Sequence, residues 1–338
     1  MIVSRTPYRI SLFGGGSDYP AWYRRYGGKV CGFAINKYCY ISIRELPPFF
    51  EHKHRIVYSS IELVNEMSEI QHPSVRAILQ QEEPKVGLEI HHDGDLPARS
   101  GIGSSSSFTI GLLNAYSAFC GRMIDKRRLA ENAIHLEQEV LHEHVGSQDQ
   151  VWAAYGGINH IDFGPDIGFS VTPLIINSAR LSNLIGNLMM FFTGISRYAP
   201  QIAQKKIANL EKRSADIRRI TKLVDEAETL FLDEARPVSE LGEMLHETWC
   251  AKRQLADEIS SPEIDEIYES AREAGARGGK LLGAGGGGFI LFYVDPEYHE
   301  SVRNALSRLT EVHFDIDRTG SSIVIYEPNG FSETMGMK

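Results

Sequence analysis

Strand-like and helix-like segments follow one another along the 338 residues without a regular strand–helix–strand alternation, and this predicts an α+β fold. Two further observations support the class. Short runs rich in β-branched and aromatic residues alternate with glycine turns near both ends, and a long charged helical stretch fills the middle of the second half. With 42% hydrophobic residues the chain can fill the cores of two domains, divided here at residue 165 into 1–165 and 166–338.

The elements follow in order. ISLF, GGG, VCGFAI and YCYISI within residues 1–60 read as an antiparallel opening, and VGLEIHH (86–92) reads as a strand that ends at the turn DGDLP. After the small-residue run SGIGSSSS, Phe108, Leu112, Tyr116 and Phe119 recur at three- and four-residue spacing, so a helix begins among the serines. Residues 127–144 predict another helix, and GSQDQVWAAYGGINHIDF returns through a loop, with Asp149 in it, to a strand. In the second half LMMFFTGI (188–195) is a short strand, residues 201–234 are helical, and more helix runs to about residue 276. Glycines in GGKLLGAGGGG then lead into the strand FILFYV, and SSIVIYE is the last strand.

Acidic residues outnumber basic ones by 44 to 35, so the net charge of -9 argues against a general affinity for nucleic acid or anionic membrane. An anionic ligand therefore needs a local basic site. Cys31, Cys39, Cys120 and Cys250 are too scattered for a zinc knuckle or redox dithiol and read as reduced core thiols. MIVSRTPYRI carries arginines where a signal peptide needs apolar residues, and no run approaches the roughly 20 apolar residues of a membrane span. The expectation is a soluble cytoplasmic protein with no nucleic-acid or membrane partner; a homodimer is left open.

The glycines and serines of residues 100–107 combine close backbone approach with the outward-pointing amides of a helix start, which suits phosphate. The plain alternative is a well-capped helix. Two familiar phosphate motifs fail: GARGGKL has the wrong spacing for a Walker loop, and GAGGGG runs into a strand, whereas a dinucleotide fingerprint opens a helix.

TPYRISLFGGGSDY (6–19), LPARSGIGSSSSF (96–108) and KLLGAGGGGF (280–289) resemble, in the same order, the three motifs of the GHMP kinases. The resemblance spans essentially the whole chain. It implies an N-terminal domain like ribosomal protein S5 domain 2, a ferredoxin-like C-terminal domain, and an active site between them. It also implies transfer of the ATP γ-phosphoryl group to a small-molecule hydroxyl. On this reading Pro97, Gly101, Gly103, Ser104, Ser105 and Ser106 form the triphosphate site. Ser105 and Glu137 ligate Mg2+, with Glu139 as the alternative to Glu137; without the resemblance these glutamates and Glu143 are an ordinary solvated helix face. Asp149 orients or deprotonates the acceptor hydroxyl, and Arg9 stands beside it.

For the acceptor, the first motif keeps Arg9 and Asp18 but has Gly14-Gly15-Gly16-Ser17 where galactokinase-like members carry Gly-Glu-His-Thr. FGGGSDYP, VGSQDQ and TGISR instead resemble the bacterial heptose 7-phosphate kinases, which phosphorylate the anomeric hydroxyl. Gly15, Ser17, Asp18, Gly285 and Gly286 are the expected acceptor contacts, with Arg197 holding the distant phosphate by its forked guanidinium. Lys280 is a lesser candidate, Arg24 and Arg25 read as a surface pair, and His52, His54, His91, His92, His135, His142 and His144 read as surface residues. The alternatives are an anomeric kinase for another sugar such as L-fucose, a non-catalytic sugar and ATP sensor, and a decarboxylase of the diphosphomevalonate type.

Overall fold

The computed structural model describes residues 1–166, 168–195 and 199–328. Among them twelve strands form two sheets. The strands are β1 (Ile2–Phe13), β2 (Gly28–Glu45), β3 (His54–Val57), β4 (Ile61–Val64), β5 (Leu88–Gly94), β6 (Ile158–Gly164) and β7 (Gly168–Pro173), followed by β8 (Leu188–Phe192), β9 (Ala276–Leu281), β10 (Phe289–Val294), β11 (Thr310–Glu311) and β12 (Ser322–Tyr326). The eight-stranded sheet runs β12-β1-β2-β5-β3-β4, with β6 on β2 and β7 on β6. The antiparallel opening is the β1–β2 pair, and only β3 against β5 is parallel among its pairings.

The second sheet is antiparallel in the order β11-β8-β10-β9, which is fourth, first, third and second of its strands, as a ferredoxin-like unit requires. The two sheets do not divide the chain at one point. β7 lies past residue 166 yet extends the first sheet, and β12 returns from the C-terminus to pair with β1. The division at residue 165 stays a proposal about folding units.

Helices join the two sheets. Ser214–Leu232 buries Ile217, Ile220, Leu223, Val224, Ala227, Leu230 and Phe231, a stripe at three- and four-residue spacing, and packs on β1 and β2. Glu240–Arg253 lies across β9 and β10 and touches β1. One apolar core therefore runs through both halves, from Leu12 and Phe33 to Leu230, Phe289 and Leu291.

Four expectations change. The predicted helix 201–234 is broken into Ala199–Asn209 and Ser214–Leu232. Asp149 sits in the first turn of a helix, Gln148–Tyr155, and not in a loop. His54 is fully buried, its ring nitrogen accepting from the Leu88 amide at 3.3 Å, because it lies on the inner face of β3. Cys31 and Cys39 are buried free thiols, but Cys120 is exposed at the end of its helix and Cys250 is partly buried. Among the described residues no helix is long and apolar enough to cross a membrane.

Candidate active site

The three glycine-bearing segments meet where the sheets adjoin. The helix Ser104–Phe119 starts after Gly103, and its first amides have no partner within the helix. The third loop closes on this helix start: Phe289 N–H donates to the Ser100 carbonyl at 3.0 Å. Gly101 has φ +84, and a Cβ there would lie 2.6 Å from the Leu282 carbonyl oxygen, so the two loops touch backbone to backbone.

Buried cations pin the segments together. Arg9 reaches from β1 to Asp149, Nε donating to Oδ1 at 2.8 Å and Nη2 to Oδ2 at 2.7 Å. Its Nη1 donates to the Gly101 carbonyl at 2.6 Å. Lys280 on β9 donates to the Ser11 and Leu12 carbonyls of β1 at 3.0 and 2.7 Å. Lys252 donates to the Leu281 and Gly283 carbonyls, both at 2.7 Å. Burial, reinforced by the cations around it, lowers Lys280 to about 7 and holds Lys252 well below the ordinary lysine range. Lys280, only 3% exposed, is thus an internal tie between the sheets.

Glu137 is drawn inside by a local change of helix pitch. After Lys126–His135 the chain makes a π-turn, Leu136–Val140, closed by Leu141 N–H to the Leu136 carbonyl at 2.9 Å. Glu137 is fully buried, whereas Glu139 stays on the surface in an ion pair with Arg24. Glu137 Oε2 accepts from the Ser106 hydroxyl at 2.9 Å and from the Gln150 amide, while Oε1 is buried without a hydrogen bond of good geometry, the Thr109 hydroxyl lying near the carboxylate. Burial, with the Glu143 carboxylate second, pushes its pKa up to about 7. A sealed carboxylate oxygen short of donors is costly, and a cation beside it removes that cost.

The first motif forms the other wall. Asp18 is buried, with Oδ1 accepting from Gly16 N–H at 2.8 Å and Oδ2 packed against Gly146. Burial raises its pKa, and Lys206 opposes the rise.

The structure therefore brings Arg9, Asp149, Gly101, Gly103, Ser104, Ser106, Glu137, Gly15 and Asp18 to one region. The remaining expected residues are placed as follows. Ser105 is exposed on the same turn and is not the serine that meets Glu137. Pro97 is exposed, its carbonyl accepting from the Ser100 hydroxyl at 2.6 Å. Ser17 is fully buried, and its hydroxyl ties the loop to the Gly14 and Lys29 carbonyls. Gly285 packs on Ile259, and the Gly286 amide is already bonded to the Ile259 carbonyl at 2.9 Å. Both are loop-packing residues. Arg197 lies outside the described residues. Arg24 and Arg25 are exposed in ion pairs with Glu139 and Glu211.

Sequence reading missed Lys206, Lys252, Gln148 and Gln150. Gln148 accepts from the Ser11 hydroxyl at 2.7 Å. A lysine on an amphipathic helix carries no mark that separates burial from exposure. The two glutamines had a usable signal, since they flank Asp149 in the motif SQDQ.

Comparison with known proteins agrees with this geometry. Residues 67–157 match the GHMP kinases N terminal domain, and residues 231–311 match the GHMP kinases C terminal domain. The chain belongs to the GHMP kinases. As a member of this family it is a phosphotransferase with ATP as donor. It is 28% identical over 319 residues to D-glycero-alpha-D-manno-heptose 7-phosphate kinase of Campylobacter jejuni, covering 91% of this chain and 93% of that one. It is 26% identical to the bifunctional fucokinase/GDP-fucose pyrophosphorylase of Arabidopsis thaliana, over 94% of this chain and 32% of the longer relative. The crystal structure of a D-glycero-D-manno-heptose 1-phosphate kinase from Bacteroides thetaiotaomicron shares the GHMP fold, with TM-score 0.78 and 24% identity over 97% of this chain and 100% of that one.

Proposed function

We propose that this GHMP kinase transfers the ATP γ-phosphoryl group to the anomeric hydroxyl of a seven-carbon sugar phosphate, D-glycero-D-manno-heptose 7-phosphate, giving the 1,7-bisphosphate. The observation that carries the reading is the forked Arg9–Asp149 pair at the mouth of the glycine and serine loop. Phosphoryl transfer asks chiefly for positioning and for charge stabilisation. The helix start at Ser104 supplies amides for the phosphates, and the Arg9 fork fixes both Asp149 oxygens where an acceptor hydroxyl can donate to one of them. In the reaction the acceptor oxygen bonds to the γ-phosphorus, the bond from phosphorus to the ADP oxygen breaks, and the hydroxyl proton passes to Asp149.

The unpartnered Glu137 Oε1 and the adjacent Ser106 hydroxyl fit a divalent cation. Mg2+ held there supplies neutralisation of phosphate charge. The name of the 28%-identical relative supports the heptose substrate, and Gly15, where a Cβ would meet nothing closer than 3.7 Å, leaves room beside the first motif. A cytoplasmic setting, where thiols stay reduced, accords with the four unpaired cysteines.

The test is ADP release from Mg2+-ATP against heptose 7-phosphate, the same heptose without its phosphate, L-fucose, galactose and mevalonate. Turnover confined to the heptose phosphate is expected. Preference for an unphosphorylated sugar overturns the substrate, and silence on every acceptor despite ATP binding overturns the kinase reading.

A further inference from the structure

Lys206, on the helix Ala199–Asn209 from the second half of the chain, is a cation that the reaction outlined above leaves unused. The residue is only 3% exposed, yet among the described residues its ammonium makes no hydrogen bond and no direct ion pair. It is held over the Tyr19 ring, 5.2 Å from the centroid, and feels both Asp18 and Asp149 as attracting charges. Its N–H donors, with no partner among the described residues, stay available to a group that enters the site.

The first motif is shaped around it. Gly16 has φ +116, and a Cβ on it would lie 3.2 Å from Lys206 Cε and 3.3 Å from Nζ. The missing side chain at Gly16 therefore lets Lys206, from the other half of the chain, approach the first motif, while Gly15 beside it stays uncrowded. The nearby acids are each engaged elsewhere: both Asp149 oxygens accept from Arg9, and Asp18 Oδ1 accepts from Gly16. Lys206 is thus drawn toward the acids by charge while its hydrogen bonds stay open.

The geometry points to Lys206 as the acceptor-side cation of phosphoryl transfer, donating a hydrogen bond to the attacking oxygen. This rests on the kinase reading above. As the acceptor hydroxyl gives its proton to Asp149 and bonds to phosphorus, negative charge on its oxygen is met by the Lys206 ammonium, which keeps its own protons. Arg9 and Lys206 then have separate tasks: Arg9 fixes the base, and Lys206 steadies the nucleophile.

The experiment compares wild type, Lys206→Met and Lys206→Ala in the ADP-release assay, with ATP affinity measured by calorimetry as a check on the fold. Loss of one preorganised donor predicts kcat lowered on the order of 100-fold in both variants, with ATP affinity unchanged. Added ethylammonium or propylammonium should restore turnover at least in part to Lys206→Ala, whose cavity can admit it, and not to Lys206→Met. Unchanged kcat overturns the inference, as does joint loss of ATP binding and turnover, or a Lys206→Ala variant deaf to amines. A wild type inert on every acceptor removes the kinase reading and this role with it, and that failure shows in the wild type itself, apart from any variant.

Discussion

Replacing Asp149 by asparagine removes the negative charge and one of the two oxygens that accept, at 2.8 and 2.7 Å, from a guanidinium whose side chain is 5% exposed, and sets an amide NH2 against it. Stranding one member of a buried pair costs about 3–5 kcal/mol. Here the low end applies, because Arg9 keeps its bond to the Gly101 carbonyl and the Asp149 side chain is 25% exposed. At roughly 2 °C per kcal/mol for a large chain, about 3 kcal/mol lowers Tm by about 6 °C. Turnover falls further, since a positioned base contributes about 10²–10⁴-fold. The informative variant is the double one, Asp149→Asn with Arg9→Met. If Arg9 acts through Asp149, the double variant is no slower than Asp149→Asn alone and regains part of the lost stability, because no stranded guanidinium remains. The assays are kcat from ADP release and Tm by calorimetry for all four proteins of the cycle. Turnover losses that multiply, with stability losses that add, would refute the coupling.

Two other outcomes follow from the same geometry. Glu137→Gln removes the charge whose Oε1 has no protein partner, so the Mg2+ concentration for half-maximal rate should rise on the order of tenfold or more, and Mn2+ binding to the protein–ATP complex, read by electron paramagnetic resonance, should weaken alongside; an unchanged metal dependence contradicts the assignment. Lys280 is held at about 7 by burial against 10.5 in a free chain, so between pH 7 and pH 9 the unfolded chain binds more protons than the folded one, and stability rises with pH. This group contributes up to about 2 kcal/mol of that rise. Urea unfolding of Lys280→Met at the two pH values should show a smaller rise than wild type, and an equal rise counts against the buried charge.

Local patterns predicted local structure well. The β1–β2 opening, the helix from the serine run, and the strands around residues 88–92, 188–192 and 289–294 all form. Each rests on periodicity or β-branched content that neighbouring residues carry themselves. Long-range pairing was beyond such patterns: SSIVIYE reads as a strand, but nothing in it says that it returns to β1 across more than 300 residues. The site was visible where chemistry is tied to motif, as at Arg9, Asp149 and the glycine loops. Glu137 needed a π-turn to face inward, and Lys206, Lys252 and Lys280 needed a second sheet to bury them. Periodicity assigns a charged helix residue to solvent, so Lys206 and Lys252 were hidden, whereas Lys280, on a strand beside the third glycine loop, could be named but not seen to be buried.

On the proposed function these loops transfer a phosphoryl group to a sugar hydroxyl held by Asp149. Its most direct test is the phosphorus–proton correlation spectrum of the product made from Mg2+-ATP and heptose 7-phosphate. The account predicts a second phosphate coupled to the anomeric proton, formed in equal amount with ADP. Inorganic phosphate in place of a sugar product, or a new phosphate coupled at any other carbon, would contradict it.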